Sequence, residues 1–195
     1  MKFREVLIYN GEQFKVPQGI QRIDARSTHG WQLRYGGTKF YSDSKFEGGA
    51  GGALKAANTE LGKRIAKLPA PTRLKPERNA NKGSELPVGI SGPIVRERRP
   101  GVRDCSFSVL LPRFGESPRR SSVYIASEST YTIERYQAAL EKAVEMRRVA
   151  EEAYQKAATK AKRQESKVWQ AEAGELAIKK RSAKPAARKS TAARA

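Results

Sequence analysis

Residues 31–68 decide the fold and read WQLRYGGTKFYSDSKFEGGAGGALKAANTELGKRIAKL. In the first five residues apolar and polar side chains alternate, which predicts a strand with two different faces. The apolar face holds Trp31, Leu33 and Tyr35, and the polar face holds Gln32 and Arg34. From residue 53 to residue 68 apolar side chains recur every three or four positions, the period of one helical face. This change of period predicts a strand followed by a helix that covers the apolar side of its sheet.

Short runs before and after this strand extend it into a sheet. Candidate strands at residues 20–26 and 39–42 flank the strand at 31–35, with turns expected at His29-Gly30 and Gly36-Gly37. A three-stranded antiparallel meander is the simplest arrangement. Further upstream, residues 3–9 and 13–16 favour β structure, and Asn10-Gly11 between them suits the two positive φ angles of a type I′ turn. A hairpin is therefore expected before the sheet.

A second unit is indicated where Pro87-Val88-Gly89-Ile90 repeats Pro17-Gln18-Gly19-Ile20 after 70 residues. Candidate strands follow at residues 94–98, 106–111 and 121–125, with turns at 100–101 and 115–118. The middle strand again alternates, with Phe107, Val109 and Leu111 on one face and Ser106, Ser108 and Leu110 on the other. The repeated order of elements predicts that one kind of unit occurs twice.

A long helix is expected after the second sheet. It begins near Thr130 or Thr132, whose hydroxyls can cap it, and Glu134 is favourable in its first turn. Its predicted apolar stripe consists of Ile133, Tyr136, Leu140 and Val144. Alanine and charged residues continue to about residue 167, so we expect a projecting charged arm that Gly174 and the sequence from Lys179 onward end.

Together these patterns predict an α+β protein with two tandem units, each a three-stranded antiparallel sheet packed on one helix. An N-terminal β-hairpin, a long C-terminal helix and a disordered basic tail complete the predicted architecture. Three prolines between the units favour a linker there. The predicted boundaries are residues 1–16 for the hairpin, 17–68 for the first unit, 69–86 for the linker, 87–154 for the second unit, 155–178 for the helical extension and 179–195 for the tail.

Charge restricts the class of partner. The 195 residues include 39 Lys and Arg but only 20 Asp and Glu, so the net charge is +19 and a polyanion is the expected partner. A phosphate backbone or an anionic membrane surface could serve. The sequence has no apolar run near the ~18 residues that span a bilayer, and its first residues lack the apolar core of a signal peptide. We therefore expect nucleic acid rather than membrane as the partner, and a cytoplasmic location at the nucleoid.

The side chains that support catalysis are scarce. The single cysteine, Cys105, excludes an internal disulfide, and with the single histidine, His29, it leaves no plausible zinc cluster. The glycine-rich residues 48–52 before the first helix could contact phosphate or could form a plain turn, but they lack the Lys-Ser/Thr ending of a nucleotide-binding P-loop. We expect no enzyme activity, no cofactor and no small-molecule substrate.

The order of residues resembles the Apetala-two/ethylene-response-factor type of DNA-binding domain, including its bacterial, phage and integrase-arm relatives. In residues 17–68 the resemblance rests on Gly19-Ile20, Trp31-Gln32-Leu33-Arg34-Tyr35, Phe40, Gly48-Gly49, and Ala53-Leu54 through Ala57. In residues 87–154 it rests on Gly89-Ile90-Ser91, residues 107–112, Arg119-Arg120, Ala139-Leu140 through Ala143, and Arg147. The resemblance implies that the sheet enters the major groove of duplex DNA while the helix supports it.

The two copies depart from the family pattern in different ways. The run of arginines on the first strand is reduced in the first unit to Arg22 and Arg26. The second unit keeps such a run but has Ser108 and Leu110 on its middle strand, in place of the polar readers of the first unit. Base readout is therefore expected from the first unit and phosphate contact from the second.

The predicted partner is double-stranded DNA, bound by a transcriptional regulator or nucleoid-associated protein of bacterial or phage origin. The candidate contacts of the first unit are Arg22, Arg26, Gln32, Arg34, Lys39 and Tyr41, and those of the second are Arg96, Arg98, Arg99, Arg103, Arg113, Arg119 and Arg120. The tail resembles those of linker histones and bacterial histone-like proteins, which bind DNA by counterion release. Its candidate contacts are Lys179, Lys180, Arg181, Lys184, Arg188 and Lys189. RNA or ribosome binding, an accessory role in recombination, and a homodimer through the long helix stay open.

Overall fold

The structure, a computed structural model, describes residues 1–72, 74, 75, 77 and 83–182, with side chains as far as residue 171. Within this range the protein is α+β, as predicted, with three small antiparallel sheets and two α-helices, the second of them long. The elements are β1 (Phe3–Leu7), β2 (Gln13–Pro17), β3 (Ile20–Ala25), β4 (Thr28–Arg34), β5 (Thr38–Ser42), α1 (Gly49–Lys67), β6 (Ile90–Arg99), β7 (Val102–Leu111), β8 (Arg119–Ser127) and α2 (Ile133–Ser182).

The predicted hairpin is present as β1 and β2, but its predicted turn type is wrong. Leu7 pairs with Gln13, the Ile8 N–H donates to the Glu12 carbonyl at 3.0 Å, and the Gly11 N–H donates to the Ile8 carbonyl at 2.9 Å. Because φ is positive at Gly11 (84°) but not at Asn10, a three-residue connection with one left-handed glycine closes the hairpin in place of a type I′ turn.

Strands β3, β4 and β5 form the predicted antiparallel meander, but the first turn lies earlier than expected. Ala25 pairs with Thr28, so Arg26 (φ 42°) and Ser27 make the turn while His29 and Gly30 are strand residues. At Gly30 a Cβ atom would lie 2.3 Å from the Tyr41 carbonyl oxygen. Glycine is therefore needed at this position because the strands approach closely there. The prediction of a turn at His29-Gly30 was wrong, since this glycine lies within β4.

Helix α1 covers the apolar face of this sheet and begins at Gly49, before the predicted residue 53. The helical face predicted from the period is confirmed, with Leu54, Ala57, Leu61 and Ile65 buried against the strands. Trp31 is fully buried, and its Nε1 donates to the Ala50 carbonyl at 2.8 Å, which fixes the first turn of the helix to the sheet.

Strands β6, β7 and β8 form a second three-stranded antiparallel sheet, each longer than predicted. Helix α2 begins at Ile133, and the Thr132 hydroxyl accepts the Arg135 N–H at 3.2 Å, as a helix cap does. Half of the predicted apolar stripe is wrong, because Ile133 (58%) and Val144 (40%) are exposed. The buried face instead uses Ala139 and Ala143, small residues that let the helix approach Phe107 and Val109 of β7.

The chain divides into two compact units, one made of Met1–Leu68 with the helix from Lys162 onward, the other of Pro69–Ala161. Two expectations change within these units. In the first unit the ring centroids of Trp169 and Phe3 are 6.3 Å apart, so this part of α2 packs against the hairpin and is not a projecting arm. In the second unit the Gln155 side chain donates to the Ala70 carbonyl at 2.8 Å and Leu86 joins the core, so both ends of the predicted linker are packed.

The long helix also extends further than predicted. It continues through Gly174 to Ser182, because a lone glycine costs a helix only about 1 kcal/mol. Residues 179–182, predicted as the start of a disordered tail, are therefore helical in backbone, whereas residues 183–195 lie outside the described part of the chain. Neither α1 nor the described part of α2 is long and apolar enough to cross a membrane.

Candidate nucleic-acid interface

The first sheet presents a polar face on the side away from α1. The predicted register of the middle strand is confirmed, since Trp31 and Leu33 are fully buried while Gln32 is half-buried and Arg34 is exposed. Across the strands Gln21 lies opposite Gln32, which lies opposite Phe40. Directly paired residues share a face, so these side chains form one row on the outer surface of the sheet. We call this surface the outer face of the first sheet.

Arg34 and Gln32 are held together on this face. The Arg34 Nε donates to the Gln32 Oε1 at 2.6 Å, which orients the guanidinium along the sheet and leaves its terminal nitrogens outside that bond. The strand itself is fixed there by the Arg34 backbone N–H, which donates to the Gly19 carbonyl at 2.7 Å. The pair thus presents donors in a planar fork, a geometry suited to base edges and phosphates.

A cavity of about 330 Å³ adjoins Arg34, and its walls include Lys2 and Arg4 of the hairpin and Gln21 of β3. The Arg4 Nη2 donates to the Ile20 carbonyl at 3.0 Å, which places this guanidinium at the edge of the outer face. Among the residues that the structure describes, no acidic side chain lines the cavity. Reasoning from sequence missed these three residues. The position of Gln21 beside Gln32 depends on the register of β3 on β4, which the length of the turn between them sets.

Three predicted contacts lie on the opposite side of the sheet. Arg22 and Tyr41 each pair with Trp31, and Lys39 pairs with Leu33, so all three share the face that α1 covers. Tyr41 is only 6% exposed, and burial raises the pKa of its hydroxyl. The Lys39 Nζ lies 5.4 Å from the centroid of the Tyr41 ring. The structure therefore does not bring these residues together with Gln32 and Arg34.

Arg22 is the centre of an ion-pair cluster. Its guanidinium donates to both oxygens of Asp43, at 2.9 and 2.7 Å, and its Nε lies 3.0 Å from the Asp24 oxygens. It also lies 4.9 Å from the centroid of the Trp31 ring. The hydrogen bond from Arg22 holds the pKa of the Asp24 carboxyl below its usual range. These contacts give Arg22 a stabilising role in the folded sheet.

The one remaining predicted contact of the first unit is Arg26. Arg26 is exposed in the turn between β3 and β4. His29 stacks on Tyr9 with ring centroids 4.1 Å apart, and its Nδ1 lies 2.9 Å from the Asp24 Oδ1.

In the second sheet the predicted arginines are all exposed but do not share a face. The side away from α2, which we call the outer face of the second sheet, carries Arg96, Arg98 and Arg120, whereas Arg103 and Arg119 have the register of the helix-facing side. Arg98 pairs with Asp104, and Arg113, in the connection between β7 and β8, pairs with Glu116. Arg99 precedes the turn at Pro100-Gly101.

The two sheets share a backbone contact at corresponding positions. The Leu110 N–H donates to the Gly89 carbonyl at 2.7 Å, as the Arg34 N–H does to Gly19. Both glycines have positive φ, 78° at Gly89 and 104° at Gly19. At the position of Arg34 the second sheet thus presents a leucine, which has no hydrogen-bond donor in its side chain.

The predicted DNA contacts toward the C-terminus lie beyond the described side chains. Lys179, Lys180 and Arg181 belong to α2 by their backbone, beyond the last described side chain. Lys184, Arg188 and Lys189 lie outside the described residues. Within the described residues no three His, Cys, Asp or Glu side chains come together as a metal site. The Cys105 thiol donates a hydrogen bond to the Ala126 carbonyl oxygen at 3.3 Å.

Comparison with known proteins found no matching family model, no matching curated protein and no matching solved structure.

Proposed function

We propose that this chain is a non-enzymatic protein that binds double-stranded DNA through the outer face of the first sheet. The observation that carries the proposal is the hydrogen-bonded pair of Arg34 and Gln32, which shares the outer surface of the sheet with Gln21. Arginine forms two parallel hydrogen bonds with guanine and glutamine does so with adenine, both in the major groove. A three-stranded sheet offers these side chains at regular spacing along its strands.

Electrostatics supports the same surface. Lys2 and Arg4 lie beside Arg34 around a cavity whose described lining has no acidic side chain. The phosphates beside a bound major groove would therefore meet cations on the hairpin side. The net charge of +19 adds affinity that does not depend on base sequence. The expected roles are those of a transcriptional regulator or a nucleoid-associated protein, acting in the cytoplasm at the nucleoid.

The proposal includes two tandem copies of one sheet-plus-helix module. The matching hydrogen bonds at Gly19 and Gly89 support it, because both fix the middle strand against the residue before the first strand. The copies would differ in use, since Leu110 replaces Arg34 in the second. A resemblance to Apetala-two-like modules and a homodimer through α2 stay predictions of the sequence.

The test is selection of a preferred site from randomised duplexes, followed by affinity measurements on that site and on random DNA. Arg34→Ala is expected to reduce the preference by about 5- to 150-fold, equivalent to the ~1–3 kcal/mol of one bidentate base contact. Arg34→Lys serves as the matched variant, because it keeps the charge but loses the planar fork. It should lose nearly as much preference while retaining affinity for random DNA.

Two results would oppose the proposal. If Arg34→Ala weakened binding to selected and random duplexes equally, Arg34 would contact phosphate and the sheet would not read bases. If structured RNA displaced the chain from its selected duplex at equal nucleotide concentration, the natural partner would be RNA.

A further inference from the structure

Tyr124 is an exposed aromatic side chain on the outer face of the second sheet. It pairs across the strands with Ser106, and Ser122 lies two residues before it on the same face. The ring is 53% exposed, and among the described side chains neither an aromatic ring nor a cation stacks on it. Small neighbours thus leave a flat aromatic surface open to a ligand.

The outer face of the first sheet differs at its own aromatic residue. Phe40 is 39% exposed, but its ring lies over Gly30, where an added Cβ would come within 2.6 Å of the Phe40 Cζ. Phe40 therefore has one side of its ring against the backbone. Tyr124 has no such glycine opposite it, because its paired residue is Ser106.

Cations flank Tyr124 at distances that suit a nucleotide strand. Arg120 lies four residues earlier on the same strand, so its Cα is about 13 Å from that of Tyr124. Arg96 lies on β6, two strands from Tyr124 and two residues beyond the position opposite it, which separates the Cα atoms by about 12 Å. Both are exposed, and neither forms an ion pair among the described residues. Asp104, which lies directly opposite Arg96 on the neighbouring strand, is paired with Arg98. The face thus combines an open ring with two exposed guanidinium groups.

We propose that the outer face of the second sheet binds an unpaired nucleobase stacked on Tyr124, with Arg96 and Arg120 on the phosphates to either side. A base inside a duplex is already stacked on its neighbours, so the ligand is single-stranded DNA or RNA. This second activity goes beyond the proposed duplex binding and does not depend on it. Stacking accepts every base, because each has a π-face, so the site has little sequence preference.

The experiment measures binding of the full chain to short oligothymidine and oligouridine by fluorescence anisotropy, at salt high enough to reduce contacts with phosphate alone. Tyr124→Ala should weaken binding by about 5- to 150-fold, the loss expected for one stacked base. Tyr124→Phe should bind within about twofold of wild type, since the ring remains. Tyr131→Ala is the matched control, because Tyr131 is 47% exposed but lies beyond the sheet, and it should leave binding unchanged.

Two further measurements do not depend on a variant. An abasic oligomer of equal length has the same phosphates and should bind wild type about as weakly as oligothymidine binds Tyr124→Ala. A single 2-aminopurine in the oligomer should lose fluorescence when it stacks on the wild-type protein. The thymidine and uridine series tell whether DNA, RNA or both are bound.

The proposal is overturned by any of three outcomes: neither oligomer binds, the abasic oligomer binds as tightly as oligothymidine, or Tyr124→Ala retains wild-type affinity. Equal losses in Tyr124→Ala and Tyr131→Ala would also overturn it, because that result would show a general effect on the second unit.

Discussion

Replacing Arg22 with alanine is expected to destabilise the first unit without affecting its selectivity for DNA. The Arg22 side chain is 6% exposed and forms ion pairs with Asp24 and Asp43 while lying over Trp31. The substitution leaves two neighbouring carboxylates without their shared cation and removes the charge that packs on the indole ring. Because Gln32 and Arg34 are on the other side of the sheet, the hydrogen bond between them should persist in the variant.

The expected loss in the free energy of unfolding follows from these contacts. A hydrogen bond to a charged group contributes about 1.5–3 kcal/mol, and a cation on an aromatic ring contributes about 0.5–2 kcal/mol. The carboxylate side chains of Asp24 and Asp43 remain 24% and 14% exposed, so water can partly replace the guanidinium. We therefore expect a loss of about 2–3 kcal/mol in the free energy of unfolding, which lowers the Tm by on the order of 10–20 °C for a unit of this size.

The assay is urea denaturation followed by tryptophan fluorescence, paired with affinities for the selected duplex and for random DNA. Arg34→Ala provides the complementary variant and should change binding with a free energy of unfolding within about 0.5 kcal/mol of wild type, as at other surface positions. Arg22→Lys should be intermediate in stability, because one ammonium cannot hold both carboxylates in a planar fork. The reasoning is refuted if Arg22→Ala unfolds at the wild-type urea concentration yet loses preference for the selected duplex.

Two further measurements test the core and its linked charges. Leu33 is fully buried under α1, so Leu33→Ala should cost about 2–5 kcal/mol, whereas Gln32→Ala on the outer face should cost under about 1 kcal/mol; equal costs in urea denaturation would contradict the register of β4. The folded-state pKa of Asp24 lies below the ordinary 3.8, so the stability linked to this carboxyl is present above pH 3.8 and is lost as the pH falls through the lower folded pKa. Urea denaturation across that range should show a steeper loss for wild type than for Arg22→Ala, and parallel curves would exclude the coupling.

The orientation of the first sheet could be predicted because its signal is local. Alternation within residues 31–35 and the helical period after residue 53 each depend on neighbours in the sequence, and both faces were assigned correctly. The boundaries of β6 to β8 and the buried face of α2 were harder. The alanines that pack there, Ala139 and Ala143, contribute little to an apolar pattern, although they allow close approach to Phe107.

The faces of the neighbouring strands could not be predicted with the same certainty, because they depend on the lengths of the turns. A two-residue turn at Gly36-Gly37 would pair Tyr41 with Gln32, on the outer face. In the structure Arg34 pairs with Thr38, so three residues connect the strands and Tyr41 pairs with Trp31. A shift of one residue exchanges the two faces of a strand.

The position of Arg22 shows a different limit. Its charge favoured a role in DNA binding, but Asp43, which accepts two of its hydrogen bonds, lies 21 residues away in the sequence. Only the folded sheet brings that carboxylate to the guanidinium. A count of basic residues therefore overestimates the cations that are available to a phosphate, and the described ion pairs remove Arg22, Arg98 and Arg113 from that set.

The two outer faces differ in the side chains that surround their exposed arginines. In the first sheet Arg34 is joined to Gln32, a side chain with its own donors and acceptors, which suits the edges of paired bases. On the outer face of the second sheet Arg96 and Arg120 stand on either side of a ring among serines, which suits the flat side of an unpaired base. If both proposals hold, Arg34→Ala and Tyr124→Ala should each impair one kind of ligand and spare the other, a crossed pattern that neither a general loss of charge nor a general loss of stability can produce.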